Sequence, residues 1–297
     1  VYADSVTTSY GANALNAVVD KLSRIGYHIY GVGTASSKGV GISYVSPFTN
    51  FAMPENDLTL YVLWEANTYT IKYYGEAPIG TASVIEGEVV DLVCRFDEYV
   101  TLSLKTFTLL GYTQTEWVAK DAEGNILATY KLGAGVRNLA EDNGAIIELW
   151  AKFEQNTYTV NYVSDNIAIE GEVSEGVPKI TGTVTGFVAS TTHKYDVASP
   201  VSSSSFSLKG WTQIGWSTSK NTTSRDDENF IPFGNPDDNR TWVVNLATEG
   251  QVTLYAVWTA NQFLVEYYDD IISGTLGNKV SSTIYYSYDN ASYKFGS

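Results

Sequence analysis

The sequence predicts a mainly β protein, a tandem array of small units laid in a semi-rigid, elongated row. Three observations carry that reading. A phrase running from Leu58 to Tyr74 returns from Val252 to Tyr268, with a looser copy from Leu149 to Tyr162. Repetition on this scale marks an array of similar supersecondary units. Within the phrase, apolar side chains alternate. Leu58, Leu60, Val62 and Trp64 take one face and Thr59, Tyr61 and Leu63 the other, which is the period of a strand. The chain also carries 22 Tyr and 7 Trp with abundant Thr and Val, residues that suit a pleated, half-buried surface.

The elements follow in order. One helix is expected, from Asn13 to Ile25, where Leu15, Val18, Val19, Leu22 and Ile25 share one helical face. Asn13 is a suitable N-cap and Gly26 a suitable stop. A landmark strand then begins at Gly26-Tyr27 and recurs at Gly111-Tyr112 and Gly210-Trp211. Its pattern is Gly, an aromatic, three residues, then Gly or Glu before an apolar position; that position is Trp117 in the second copy and Trp216 in the third. A closing strand follows in each copy, ending on Trp64, Phe153 or Trp258. After Trp64 a joint, Glu65-Ala66-Asn67, leads to an opening strand on which Tyr69, Ile71 and Tyr73 share a face. A joint this short is not a flexible linker. Tyr99 to Leu110 alternates more than it winds and reads as strand or mixed. Ser202 to Ser205 reads as a polar loop, and Ser219 to Asn239 as a long polar insertion.

Boundaries placed at the joints give four units: 1–66, lacking its opening strand; 67–155; 156–260, with the insertion; and 261–297, the opening strands of a fourth copy.

Composition limits the partners. Lys and Arg total 18 against 33 Asp and Glu, a net charge of −15, which repels nucleic acid and anionic lipid. No run approaches the ~20 apolar residues of a membrane span. The single cysteine, Cys94, makes neither an internal disulfide nor a zinc site; it reads as a small buried apolar side chain between Val93 and Phe96.

At the landmarks the chain resembles a known family. Gly210-Trp211 through Gly215-Trp216, the run from Phe51-Ala52-Met53-Pro54 to Trp64, and Asn67-Thr68-Tyr69-Thr70-Ile71 are similar to the internalin-type B repeat, also called the Listeria–Bacteroides repeat. The second copy departs most, with Glu116 for the second Gly and Phe153 for the closing Trp. The resemblance implies small α+β, β-grasp-like units in tandem on bacterial surface proteins, with no catalytic residues.

A search for chemistry is consistent with that expectation. His28 and His193 have no Cys, Ser or second His at a triad or ligand spacing. Asp226-Asp227-Glu228 is a weak candidate for calcium, since hard cations favour clustered carboxylates, but its spacing is not that of a calcium loop and a solvated acidic loop is the simpler reading. No other cofactor is expected. The landmark residues Gly26, Tyr27, Trp64, Gly111, Tyr112, Trp117, Phe153, Gly210, Trp211, Trp216 and Trp258 read as the cores of the units. Tyr30, Tyr61, Tyr74, Trp150, Tyr255 and Tyr268 are expected to face outward.

The functional expectation is a non-enzymatic, extracellular stalk or adhesin module on a bacterial cell surface. Its partners would be neighbouring repeats, identical subunits, or a surface glycan or protein. Two alternatives stand beside it. The terminal half units suggest a filament subunit whose C-terminal strands complete the N-terminal unit of the next copy. The outward aromatics suggest a carbohydrate-binding module.

Overall fold

The computed structural model describes residues 19–45, 56–169, 183–222, 225–234, 237, 242–269, 271–272, 275–279 and 284–287. The chain is mainly β and divides into two compact units, Val1–Glu154 and Gln155–Ser297.

In the first unit, the first repeat forms a three-stranded antiparallel sheet. Its strands are β1 (Tyr27–Gly33), β2 (Ser43–Val45) and β3 (Tyr61–Ala66), in the order β2-β1-β3. Gly26 has φ +72°, a left-handed turn that suits glycine, and it delivers the chain into β1. A bulge between Ile29 and Gly31 faces Trp64 and Leu63. The core here is small: Val19 and Val32, with Ile29, Tyr44, Leu58, Leu60 and Val62 packed against them.

The second repeat is larger. It contains β4 (Thr68–Tyr74), β5 (Ile85–Glu86), β6 (Leu92–Arg95), β7 (Val100–Thr101), β8 (Thr108–Leu109), β9 (Tyr112–Lys120), β10 (Ile126–Lys131), β11 (Gly135–Val136) and β12 (Ala145–Gln155). The sheet runs β5-β8-β9-β12-β4-β6, with β10 on β9, and β7 pairs separately with β11. Opening strand β4 and closing strand β12 are parallel, Ala145 opposite Tyr69 and Trp150 opposite Tyr74. A parallel pair requires a long crossover, and the body of the repeat supplies it. Tyr69, Ile71 and Tyr73 all point into the core, as their alternation predicts.

The second unit repeats this plan with β13 (Thr157–Ile169), β14 (Thr191–Lys194), β15 (Ser199–Pro200), β16 (Trp211–Ser217), β17 (Phe230–Pro232), β18 (Trp242–Val243) and β19 (Gly250–Ala260). Its order β14-β13-β19-β16-β17 matches β6-β4-β12-β9-β10 strand for strand. The β13–β19 pair is parallel, and β15–β18 stands where β7–β11 stands. The bulge between Gln213 and Gly215 against Trp258 and Val257 reproduces that of β1 against β3. The remaining strands are β20 (Gln262–Val265), β21 (Ile271–Ile272), β22 (Thr275–Leu276) and β23 (Ile284–Ser287). β20 and β23 pair with Phe263 opposite Tyr286, the register that sets Tyr69 opposite Cys94 and Tyr158 opposite His193.

The structure differs from the sequence expectations in four places. The helix of Asn13 to Ile25 lies outside the described residues as far as residue 18, and from Asp20 onward the chain is turn and bridge, with Leu22 N–H bonded to Val19 C=O at 2.9 Å. Among the described residues helix is assigned at Val19 alone, where the chain leaves the undescribed stretch. The α component is also missing from the second repeat's crossover, where Leu102, Phe107 and Leu109 enter the core from short extended segments. The insertion of Ser219 to Asn239 is not a bare loop, because β17 lies in it and pairs with β16 as β10 pairs with β9. In β3, Leu63 and Ala66 are buried while Trp64 is half-buried, since both faces of that strand carry apolar side chains.

Candidate functional site

The described side chains build one interior twice. In the second repeat Trp117 is wholly buried, tilted against Tyr73 with ring centroids 4.6 Å apart, and edge-on to Phe107 at 6.1 Å. In the third, Trp216 meets Tyr162 at 4.6 Å and Phe206 at 6.0 Å. The polar contacts coincide as well. The indole N–H of Trp117 donates to Ser103 C=O at 3.0 Å, and that of Trp216 to Ser202 C=O at 2.9 Å. The backbone N–H groups of the same serines donate to Tyr73 Oη at 3.1 Å and Tyr162 Oη at 2.8 Å. Gln114 Oε1 accepts from Phe107 N–H and Gln213 Oε1 from Phe206 N–H, each at 2.9 Å. Most buried polar groups are paired, and here the same pairing solution is used twice.

A side-chain clasp closes each of these repeats. Asp97 and Asn138 both adopt positive φ, 66° and 55°, as do Asp196 and Asn245, 55° and 53°. Asp97 N–H donates to Asn138 Oδ1 at 2.6 Å, and Asn138 Nδ2 donates back to Asp97 Oδ1 at 2.9 Å. Asp196 and Asn245 do the same at 2.6 and 2.7 Å. Short polar side chains tolerate this left-handed conformation. The hydrogen bonds from Asn138 and from Tyr27 hold the Asp97 carboxyl below the usual carboxylate range.

The joint between the first two repeats is built on Asn67. Its backbone N–H donates to Gly26 C=O at 2.8 Å and its C=O accepts from Phe96 N–H at 2.8 Å. Its side chain bonds His28 Nδ1 at 2.8 Å and Glu141 C=O at 2.6 Å. Tyr27 packs edge-on against Phe96 at 5.8 Å and donates its hydroxyl to Asp97 Oδ2 at 2.9 Å. A methyl on Gly26 would stand 2.3 Å from the Phe96 ring, so the landmark glycine is fixed by contact as well as by φ. Asn261 repeats part of this arrangement, its N–H on Gly210 C=O at 2.9 Å and its Oδ1 accepting from Thr212 Oγ1 at 2.6 Å.

The predicted landmarks therefore sort by burial. Trp117, Trp211, Trp216 and Trp258 are buried, while Trp64 and Phe153 are half-buried. Tyr27 and Tyr112 are half-buried; Gly111 and Gly210 have φ of 77° and 79°, like Gly26. The Phe51–Pro54 part of the phrase lies outside the described residues. Sequence reasoning missed the Asp–Asn clasp. Its signal was present as an aromatic-Asp pair (Phe96-Asp97, Tyr195-Asp196) and a later Asn-Leu pair (Asn138-Leu139, Asn245-Leu246).

Four of the six outward aromatics are engaged by their own neighbours, while Tyr61 is 46% exposed. Trp150 stacks on Tyr74 at 4.8 Å with an interplanar angle of 25°, and Lys120 Nζ lies 5.1 Å from the centre of the Trp150 ring. Lys120 is also ion-paired with Glu76. Tyr255 carries Lys220 and Tyr30 carries Lys38 over their rings, at 5.1 and 3.6 Å. Rings engaged by a stack or a cation present less free face to a sugar.

The acidic candidates are likewise engaged. Asp227 Oδ1 accepts from Asn229 N–H at 2.8 Å and from Asn229 Nδ2 at 3.0 Å, which lowers its pKa, and Asp226 and Glu228 are exposed. Among the described residues no three His, Cys, Asp or Glu side chains gather in a metal-binding group. A depression of about 270 Å³ beside Trp64 is lined by Val19, Arg24, Tyr27, His28 and Ile29 among others. Arg24 sits over the Tyr27 ring at 3.7 Å there.

No family model matches the chain. The chain is similar to a protein of Evansella cellulosilytica named "Putative Gly-rich membrane protein", with 31% identity over 175 residues, covering 56% of this chain and 18% of that protein. The chain thus spans less than a fifth of that relative's length. Among the described residues no helix is long and apolar enough to cross a membrane, which says nothing of crossing by strands.

Proposed function

We propose that the chain is a non-enzymatic tandem-repeat segment, of the internalin B-repeat type, serving as an extracellular stalk or adhesin module of a bacterial surface protein. The observation that carries this reading is the duplicated interior. Two repeats spend the same tryptophan, tyrosine, glutamine and Asp–Asn contacts on holding themselves together. What is duplicated is packing, as in arrays whose function is spacing or display. The Asn67 joint supports the mechanical part of the reading, because it ties one repeat to the next through backbone and side-chain bonds. The partly matching membrane protein agrees with a surface setting.

The test is topological. An epitope placed in the exposed Asp226–Glu228 turn of the intact parent protein should be accessible to antibody on whole, unpermeabilised cells. Staining only after permeabilisation would remove the proposal.

Strand exchange between copies is the second reading. Pair β20–β23 has the register of β4–β6 and β13–β14, yet Phe263 is 50% exposed where Tyr69 and Tyr158 are 1% exposed. Among the described residues β3 has no parallel partner on its free edge, and such edges are docking sites for added strands. Filaments of the purified segment in electron micrographs, lost on Phe263→Asp substitution, would support this reading. A strictly monomeric segment at high concentration would end it.

A further inference from the structure

The second and third repeats place different titratable groups at one position of their shared core. On β6 it is Cys94, opposite Tyr69; on β14 it is His193, opposite Tyr158. Both side chains are buried, His193 with only 3% exposure. The imidazole stacks on Tyr158, ring centroids 5.5 Å apart and 25° between planes. Its Nε2 bonds Thr191 Oγ1 at 2.9 Å, and Thr191 Oγ1 in turn meets Tyr162 Oη at 2.8 Å. Its Nδ1 is buried with no hydrogen-bond partner.

That geometry accommodates a neutral ring and penalises a charged one. In the imidazolium both nitrogens carry protons. Whichever tautomer precedes it, the added proton leaves an Nδ1–H with no acceptor inside an apolar core, and it leaves a charge there as well. The titratable groups facing the ring from the packed strand are the phenols of Tyr158 and Tyr162, both made harder to ionise by burial. On its own strand Lys194 points to solvent. Among the described residues no carboxylate faces the ring to compensate the charge. Burial accordingly lowers the His193 pKa, with no charged neighbour contributing. The Cys94 thiol stays uncharged throughout this range, because burial raises its pKa.

We propose that His193 is an acid-sensitive latch which loosens the third repeat in mildly acidic surroundings while the second repeat, with Cys94 in the same place, stays closed. The sign follows from linkage. A histidine that is harder to protonate in the fold leaves stability intact above its unfolded value and erodes it as pH falls below that value. If the folded form takes up no proton, the opening equilibrium rises about 30-fold between pH 7.5 and 5.0, from an unfolded value of 6.5. The window ends above the range in which most carboxylates titrate.

The experiment is hydrogen exchange on the whole chain, as protection factors corrected for intrinsic rates at each pH. Amides of Val160, Trp216 and Leu254 report the third repeat; those of Ile71, Trp117 and Leu149 report the second. The expected result is a loss in the first set, at most about 30-fold, and little change in the second. His193→Cys should abolish the difference, and Cys94→His should transfer it. Equal acid loss in both repeats, or an undiminished loss in His193→Cys, would overturn the proposal. An NMR titration of the wild-type His193 ring keeps it falsifiable should either variant fail to fold. The ring midpoint in the folded chain must lie below 6.5, and a midpoint at or above 6.5 would refute the latch.

Discussion

Tyr73 and Tyr162 allow the duplicated core to be tested by subtraction. Each is buried, and each accepts a backbone N–H, from Ser103 at 3.1 Å or from Ser202 at 2.8 Å. Only Tyr162 makes a second bond, to Thr191 Oγ1 at 2.8 Å; the equivalent position in the second repeat is Leu92. Replacing either by Phe keeps the ring against its tryptophan and removes the hydroxyl. For Tyr73→Phe the loss is one bond and one stranded N–H, about 1–2 kcal/mol. For Tyr162→Phe the Thr191 contact is added. Thr191 keeps His193 as a partner, so the added term is about 0.5–1.5 kcal/mol. The difference should be about 1 kcal/mol, with Tyr162→Phe the more damaging. Denaturant-dependent hydrogen exchange of β4 and β13 reads the two repeats separately in one chain. Equal costs, or a larger cost for Tyr73→Phe, would refute the claim that hydroxyl bonding distinguishes these two cores.

Three further outcomes are expected. Gly215→Ala should destabilise the third repeat by about 2–3 kcal/mol, because its methyl would lie 2.5 Å from Ile231 C=O and 2.8 Å from the Phe230 ring; Glu116→Ala in the matching place loses only the partly exposed pair with Lys152, below about 1 kcal/mol by thermal unfolding. Cys94 should resist a thiol reagent in the native chain at neutral pH and react fully in denaturant, since it is buried and its pKa raised by burial. The Asp97 clasp should persist as pH falls through the ordinary carboxylate range and fade only as it passes the depressed value; Asn138→Ala should move the Asp97 carboxyl resonance midpoint upward in an NMR titration.

The parts of the fold legible in the sequence were those with period-two alternation. Tyr69, Ile71 and Tyr73 identify one face of β4, and Gly210-Trp211 with Trp216 marks β16 and the residue it buries. The helix expectation rested on spacing with a cap at Asn13 and a stop at Gly26; residues 13–18 lie outside the described residues, Val19 is helical, and Asp20 to Ile25, with its charged residues and exposed Ile25, runs as turn and bridge. Local periodicity does not report whether a partner surface exists, and that surface decides where a short helix ends. Pairing was not legible either. The parallel contact of β4 with β12 joins residues far apart in the chain, and nothing local encodes it. Of the aromatics expected to face outward only Tyr61 is exposed and the rest are half-buried, and the engagement of Trp150, Tyr255 and Tyr30 by Lys120, Lys220 and Lys38 is a tertiary fact. The Asp–Asn clasp was missed because Asp and Asn read as generic turn residues until their left-handed φ values are seen in pairs.

The parallel β4–β12 ladder has a mechanical consequence. The chain enters the second repeat at Thr68 and leaves at Gln155, by neighbouring strands that run the same way. Tension applied through those two ends pulls the strands along their length in opposite senses. The hydrogen bonds between them then bear the load together, in shear, and do not peel open one after another. A repeat wired in this way resists extension best along the line on which a surface tether would be dragged.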